Sequence, residues 1–204
     1  MIKSMFAILI SLNFITVAKA NVTSVMVVRH AETDYSDPEN RDPGLSPKGE
    51  RRASLLNELA KSLDVKAVFS SEYQRTQRTV VQIAERLNSE INVIGAREPD
   101  LLAQTIREKN AGDTVIVAGH SNTVPWVVKS LGGGLVDNLD HSDYNTFYIV
   151  LTGDEVAERT EEIKEHFPDV EEVNNVTGLA DNMKLLKGGY GQDISFLKSF
   201  QTNK

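Results

Sequence analysis

The sequence predicts an α/β protein, a three-layer α/β/α sandwich with a mostly parallel central sheet. Short runs rich in Val and Ile, each bounded by turn or charged residues, alternate with longer amphipathic stretches. Titratable and polar residues follow three of these runs at once: Arg29-His30 after the first, "SSEYQRTQRT" from Ser70 after the second and "GHSN" from Gly119 after the fourth. In open α/β sheets ligands bind beyond the carboxyl ends of the strands, so a site is expected along that single edge.

The first twenty residues stand apart. Lys3 gives a positive start, residues 5–17 are apolar apart from Ser11, Asn13 and Thr16, and "AKA" at Ala18 to Ala20 is a small-x-small cleavage pattern. This reads as a secretory signal peptide cut near Ala20, with a periplasmic or secreted product. The apolar run is shorter than the roughly 20 residues that span a bilayer, so no stable membrane anchor is expected. Residues 21–204 are then a single domain, with its motifs in 22–134 and a less regular C-terminal region in 151–204.

Strands are predicted at 22–28, 67–69, 91–94, 114–118 and 146–151, and helices at 47–63, 73–87, 101–109 and 123–131. Ser46 is placed to cap the first helix with Pro47 at its first position, and Ala53, Leu55, Leu56, Leu59, Ala60 and Leu63 form its apolar face. Trp126 is expected to pack in the core from the fourth helix. Residues 153–167 predict an acidic helix stopped by Pro168, and "MKLLKGGY" from Met183 a late edge strand. His141 and His166 lie in polar segments and are expected at the surface, as is Arg78.

The net charge is −7; Lys3 and Lys19 fall within the leader and no acid does, so the processed chain stands at −9. That argues against nucleic acid as a partner and makes any anion site a local basic pocket. Cysteine is absent, which excludes a cysteine nucleophile, thiolate metal ligands and disulfides. No H-E-x-x-H or comparable ligand set occurs, and neither a metal nor another cofactor is implied.

"RHAET" from Arg29 resembles the R-H-G-E motif of the histidine phosphatase superfamily. Ser71, Arg75 and Thr79 resemble its S-x-x-x-R-x-x-x-T pattern, "AGHSN" its distal histidine and "LSPKGERRA" from Leu45 its L-T-x-x-G-x-x-Q-A helix entry. The motifs come in family order. The resemblance implies a phosphoglycerate mutase-like fold of the small branch without a large cap domain. It further implies phosphatase activity on a small phosphorylated substrate, with a Glu or Asp after the third strand as general acid; Glu98 and Asp100 stand there, Asp100 at a helix start.

The residues suit that chemistry. A neutral imidazole is a competent nucleophile near neutral pH, provided its other ring nitrogen donates to a carbonyl or carboxylate. His30 is the candidate nucleophile, and Arg29, Arg75 and His120 are candidates for stabilising a transferring phosphoryl group. Ser36, Ser71, Ser121 and Asn122 are candidate substrate contacts, although Ser71 and Thr79 also suit helix capping and packing. Two features depart from the family pattern: Ala31 replaces its glycine, and Ser36 stands where its mutases carry Asn. The favoured expectation is an exported, metal-independent phosphatase acting on a phosphomonoester or phosphoramidate. The alternatives are a phosphoglycerate mutase-like phosphotransferase and a non-catalytic phosphate-binding module.

Overall fold

The computed structural model describes residues 22–190, so the leader reading lies outside the described residues. Its elements are β1 (Thr23–Arg29), α1 (Pro47–Ala60), β2 (Val65–Ser70), α2 (Gln74–Leu87), β3 (Asn92–Val93), α3 (Pro99–Lys109), β4 (Thr114–Gly119), α4 (Val124–Ser130), β5 (Thr146–Thr152), α5 (Val156–His166), β6 (Glu171–Glu172) and β7 (Met183–Gly189). The strands form one sheet in the order β3-β2-β4-β1-β5-β7-β6. β3, β2, β4 and β1 run parallel, whereas β5, β7 and β6 are added by antiparallel pairing.

Strand periodicity divides the apolar residues of β1 between two cores. Met26 and Val28 face Leu56, Leu59, Val80, Ile83 and Ile163, which α1, α2 and α5 contribute. Val25 and Val27 face Leu102, Ile106, Val124 and Val128 from α3 and α4. The sandwich therefore has three layers, and β1 and β4 are buried at every residue. Burial on both faces is why these strands read as unbroken apolar runs and not as alternation.

Local signals set the helix ends that matter to the site. Ser46 caps α1 by accepting from the Gly49 amide at 3.2 Å, while its own amide donates to the Glu32 carbonyl. Gly49 must be glycine because a Cβ there would sit 2.1 Å from the Glu32 carbonyl oxygen. The helix entry and the loop after β1 are thus one packed unit. α2 ends at Asn88 in a left-handed conformation with φ 51.

Three expectations change. β3 pairs through two residues only, since Asn92 and Val93 are both exposed and have little to bury. β7 is not the sheet edge, because β6 covers its outer side through Glu171 and Glu172. Trp126 does not enter the core: it is 54% exposed on α4, whose buried residues are Val124, Pro125, Val127 and Val128.

Candidate active site

Sheet register brings the distant motifs together. Arg29 pairs with Gly119 and Ser70 with Ala118, so the residues that leave the strands next, His30, His120 and the Ser71-Glu72 pair, emerge side by side. The His30 and His120 rings lie 5.3 Å apart at an interplanar angle of 66°. Adjacent strands are about 4.8 Å apart, so neighbouring registers alone account for this distance.

His30 is 5% exposed. Its amide donates to the Gly119 carbonyl, and its Nδ1 lies 2.8 Å from the Ala31 carbonyl. A carbonyl can only accept, so Nδ1 carries the proton and Nε2 keeps its lone pair. Burial lowers the His30 pKa to about 3; the Ala31 hydrogen bond opposes that shift, and the charges of His120, Arg75 and Arg29 reinforce it. The ring is therefore neutral at pH 7.

His120 is held by hydroxyls. Its amide donates to Thr123 Oγ1 at 2.9 Å, and its Nε2 lies 2.9 Å from Ser71 Oγ, which lies 2.8 Å from Thr76 Oγ1. Thr76 Oγ1 in turn donates to the Tyr73 carbonyl at 2.7 Å. Ser71 thus fixes His120, which is the use the structure shows for its hydroxyl. Burial and then the Arg75 charge lower the His120 pKa to about 4, with Glu72 acting in the opposite sense and Arg29 adding to the fall.

Arg29 and Arg75 each lie against a tyrosine. The Arg29 guanidinium carbon is 3.9 Å from the centre of the Tyr144 ring, and its Nη1 lies 2.9 Å from the carbonyls of Asp140, His141 and Asp143. Its Nε is buried with no partner among the described residues. Arg75 stacks on Tyr73 at 4.4 Å and stands 3.7 Å from Asp42, whose carboxylate also accepts from the Gln74 amide at the start of α2. Tyr73 packs on His120 and Tyr144 on His30.

The loop after β1 is locked at three points. Glu32 is held by Arg52 through two bonds of 2.8 Å and by Lys48 at 3.2 Å. Burial alone would push the Glu32 carboxyl up, but the Arg52 hydrogen bonds and charge overcome it and hold the pKa down at about 2. Ala31 is fully buried, its amide donates to Thr79 Oγ1 at 2.9 Å, and the described non-glycine residues with positive φ do not include it. Alanine therefore serves where the family has glycine.

The other expected site residues make the following contacts. Asp100 is exposed and accepts from Ser130 Oγ at 2.6 Å, while the Glu98 carboxylate folds back over Gly95. The carboxylate coupled to His120 is Glu72, whose Oε2 accepts from the Ala96 amide at 2.8 Å. Ser36 is exposed and its amide closes a turn onto Asp34. Ser121 gives its carbonyl to the Leu139 amide, and Asn122 is exposed at the entrance to α4. Sequence reasoning missed Glu72, Tyr73 and Tyr144. The first two lie inside a quoted motif, and Tyr144 sits in a polar loop that carries no periodic signal.

Residues 25–96, which hold the Arg-His pair and the Arg75 helix, match the family model described as histidine phosphatase superfamily (branch 1). Over these residues the chain is similar to the histidine phosphatase superfamily. A curated relative, phosphoserine phosphatase 1 of Hydrogenobacter thermophilus, is 33% identical over 75 residues, which is 34% of this chain and 35% of that protein. The chain thus spans about a third of the length of that relative. Among solved structures, the protein histidine phosphatase SixA complexed with tungstate superposes with a TM-score of 0.51 at 18% identity, over 62% of this chain and 86% of that one. Mycobacterial glucosyl-3-phosphoglycerate phosphatase superposes at 0.50 and 14% identity, over 64% and 91%.

Proposed function

We propose that the protein is an exported phosphatase that hydrolyses a small phosphomonoester or phosphoramidate, without a metal, through a phosphohistidine on His30. The observation that carries this reading is the His30 tautomer, with Nδ1–H spent on the Ala31 carbonyl and Nε2 free beside two arginines and a second imidazole. The Nε2 lone pair attacks phosphorus, the bond to the leaving group breaks, and the leaving group takes up a proton from solvent. Water then attacks the phosphohistidine, the P–N bond breaks, and phosphate is released with the lone pair back on Nε2 and the water's proton returned to solvent. Arg75 and Arg29 meet the charge of the phosphoryl oxygens, and His120 supplies a further donor.

The Glu98 carboxylate folds over Gly95 and that of Asp100 accepts from Ser130, so substrates with good leaving groups, or with a protonatable nitrogen, suit the site. The relatives' names agree on phosphate ester or phosphohistidine hydrolysis. Export rests on the leader pattern of Lys3, the apolar run and Ala18 to Ala20.

The test is turnover of 4-nitrophenyl phosphate by the processed chain with and without chelator, alongside His30→Ala. Turnover that survives chelator and disappears in the variant is the expected result, with acid-labile phosphate trapped on His30 in a quench. Phosphate binding without turnover would replace this reading with that of a phosphate-binding module.

A further inference from the structure

A cleft of about 330 Å³ opens between the loop after α4 and the antiparallel strands β5 and β7. That volume lies near the lower end of the roughly 300–1,000 Å³ range of small-molecule sites. Backbone bonds fix its walls: the Leu135 amide donates to the Thr177 carbonyl, the Leu139 amide to that of Ser121 and the Val173 amide to that of Leu185. Gly134, at φ +81, lets the loop pass so close that a Cβ there would meet the Val176 side chain at 2.5 Å. The charge of the lining is one-sided, with Asp137, Asp140 and Asp143 set against Lys187. Ser142 takes up the Asp140 carboxylate, and the Asn145 and Thr146 amides with the Thr146 hydroxyl take up that of Asp143. Asp137 accepts no hydrogen bond from any described residue, so its oxygens are left for the cleft.

Carboxylates alone would make only a solvated face; the second feature is Tyr148. It pairs with Lys187 across β5 and β7, so both side chains leave the same face of the sheet, and both line the cleft. The ring packs with Val25, Val150 and Leu185 and the residue is 5% exposed, yet its hydroxyl has no hydrogen-bond partner among the described residues. Burial raises the Tyr148 pKa, and the charges of Asp143 and then Asp137 add to the rise, so the phenol stands in the field of both carboxylates. A buried hydroxyl without a partner is costly, and folded proteins keep few of them.

We propose that this cleft binds a small organic cation with N–H donors, a protonated primary amine on a short apolar chain. The ammonium donates to the Asp137 carboxylate and to the Tyr148 oxygen, and the chain lies on Leu139, Val173 and Val176. The Tyr148 ring is packed in the core, so hydrogen bonding to its oxygen, and not contact with its face, does the selecting. The site is separate from the imidazoles, since neither histidine of the pair nor Arg29 nor Arg75 lines it. It meets the active site through backbone, where the Asp140 and Asp143 carbonyls accept from Arg29 Nη1.

Calorimetric titration of the protein in an amine-free buffer at neutral pH tests this with n-butylammonium, tetramethylammonium and n-butanol. n-Butylammonium should saturate a single site in about the millimolar range, whereas tetramethylammonium, which has no N–H, and butanol, which has no charge, should not bind. Tyr148→Phe keeps the packed ring and removes the hydroxyl, and Asp137→Asn changes an exposed residue, so both variants should fold; each should weaken binding about tenfold. Lys187→Met should tighten binding about threefold by removing the opposing charge. No saturable binding of n-butylammonium, equal binding of tetramethylammonium, an affinity untouched by Tyr148→Phe, or weaker binding in Lys187→Met overturns the proposal. Displacement of the amine by an equal concentration of calcium ion would make the cleft a metal site and overturn it too. None of these readouts involves turnover, so the proposal and the hydrolase reading stand or fall separately.

Discussion

Arg52→Met should destabilise the protein by roughly 3 kcal/mol at pH 7. The figure follows from the Glu32 carboxyl, held at about 2 against an ordinary value of 4.5, because one pKa unit corresponds to about 1.4 kcal/mol. Glu32 is 9% exposed, so without Arg52 it would keep its burial cost and lose two short bonds, leaving a backbone hydrogen bond and the partly exposed Lys48. Breaking a buried pair from one side typically costs about 3–5 kcal/mol, which agrees. For a domain of this size the melting temperature should fall by about 6–12 °C. A folded-state pKa below the unfolded one contributes stability that is present above pH 4.5 and lost as the pH falls toward 2, so the difference between wild type and variant should shrink on acidification. Adding Glu32→Gln should recover at least half the loss, since a neutral amide is cheaper to bury than an unpaired carboxylate. Urea and thermal unfolding measure all three. A loss under about 1 kcal/mol, or a double variant no better than the single one, would refute the argument that the buried pair anchors the loop after β1.

Two further outcomes follow from the imidazoles. Both have folded pKa values below 6.5, at about 3 for His30 and about 4 for His120, so the unfolded chain binds more protons below pH 6.5. Stability should therefore fall from pH 6.5 toward pH 4 with up to about 1.4 kcal/mol per pH unit from each ring. Replacing either with Asn should flatten that slope in denaturant titrations, and an unchanged slope would show that the rings are not buried neutral. Ser71→Ala should lower kcat/KM about tenfold while moving the melting temperature by only a few degrees, because one neutral hydrogen bond is worth about 1 kcal/mol and Thr76 keeps its carbonyl partner. Unchanged kcat/KM would remove Ser71 from the positioning of His120.

The parallel half of the fold was legible because β1 and β4 are buried on both faces and advertise themselves as Val-rich runs. Which strands lie side by side was not legible, because pairing is set by packing of distant helices. That limit carries into the site. The Arg-His pair, Arg75 and His120 could be named from motif order, but the bond from Ser71 to His120 and the coupling of Glu72 to His120 depend on Ser70 facing Ala118 across the sheet. Asp100 looked like an acid at a helix start, and so it is, yet Ser130 from α4 claims its carboxylate. Trp126 is a different case. Val124, Val127, Val128 and Leu131 occupy the i, i+3, i+4 and i+7 stripe, which leaves Trp126 off the buried face, so its exposure could have been read from the helical period.

In the proposed reaction the two histidines are not interchangeable, and their hydrogen bonds decide which one attacks. Both rings are neutral at pH 7, since burial and the two arginines disfavour a third and fourth positive charge. A phosphate dianion reverses the sign of the local field and favours protonating whichever ring can take a proton. His30 cannot do so and still attack, because its Nδ1–H is committed to the Ala31 carbonyl and Nε2 is the only lone pair left. His120 faces the Ser71 hydroxyl, which can accept from Nε2 while donating to Thr76 Oγ1, and it also feels the Glu72 charge. In the proposed reaction His120 therefore becomes the cationic donor to the phosphoryl oxygens while His30 stays the nucleophile, a division that follows from one carbonyl against one hydroxyl.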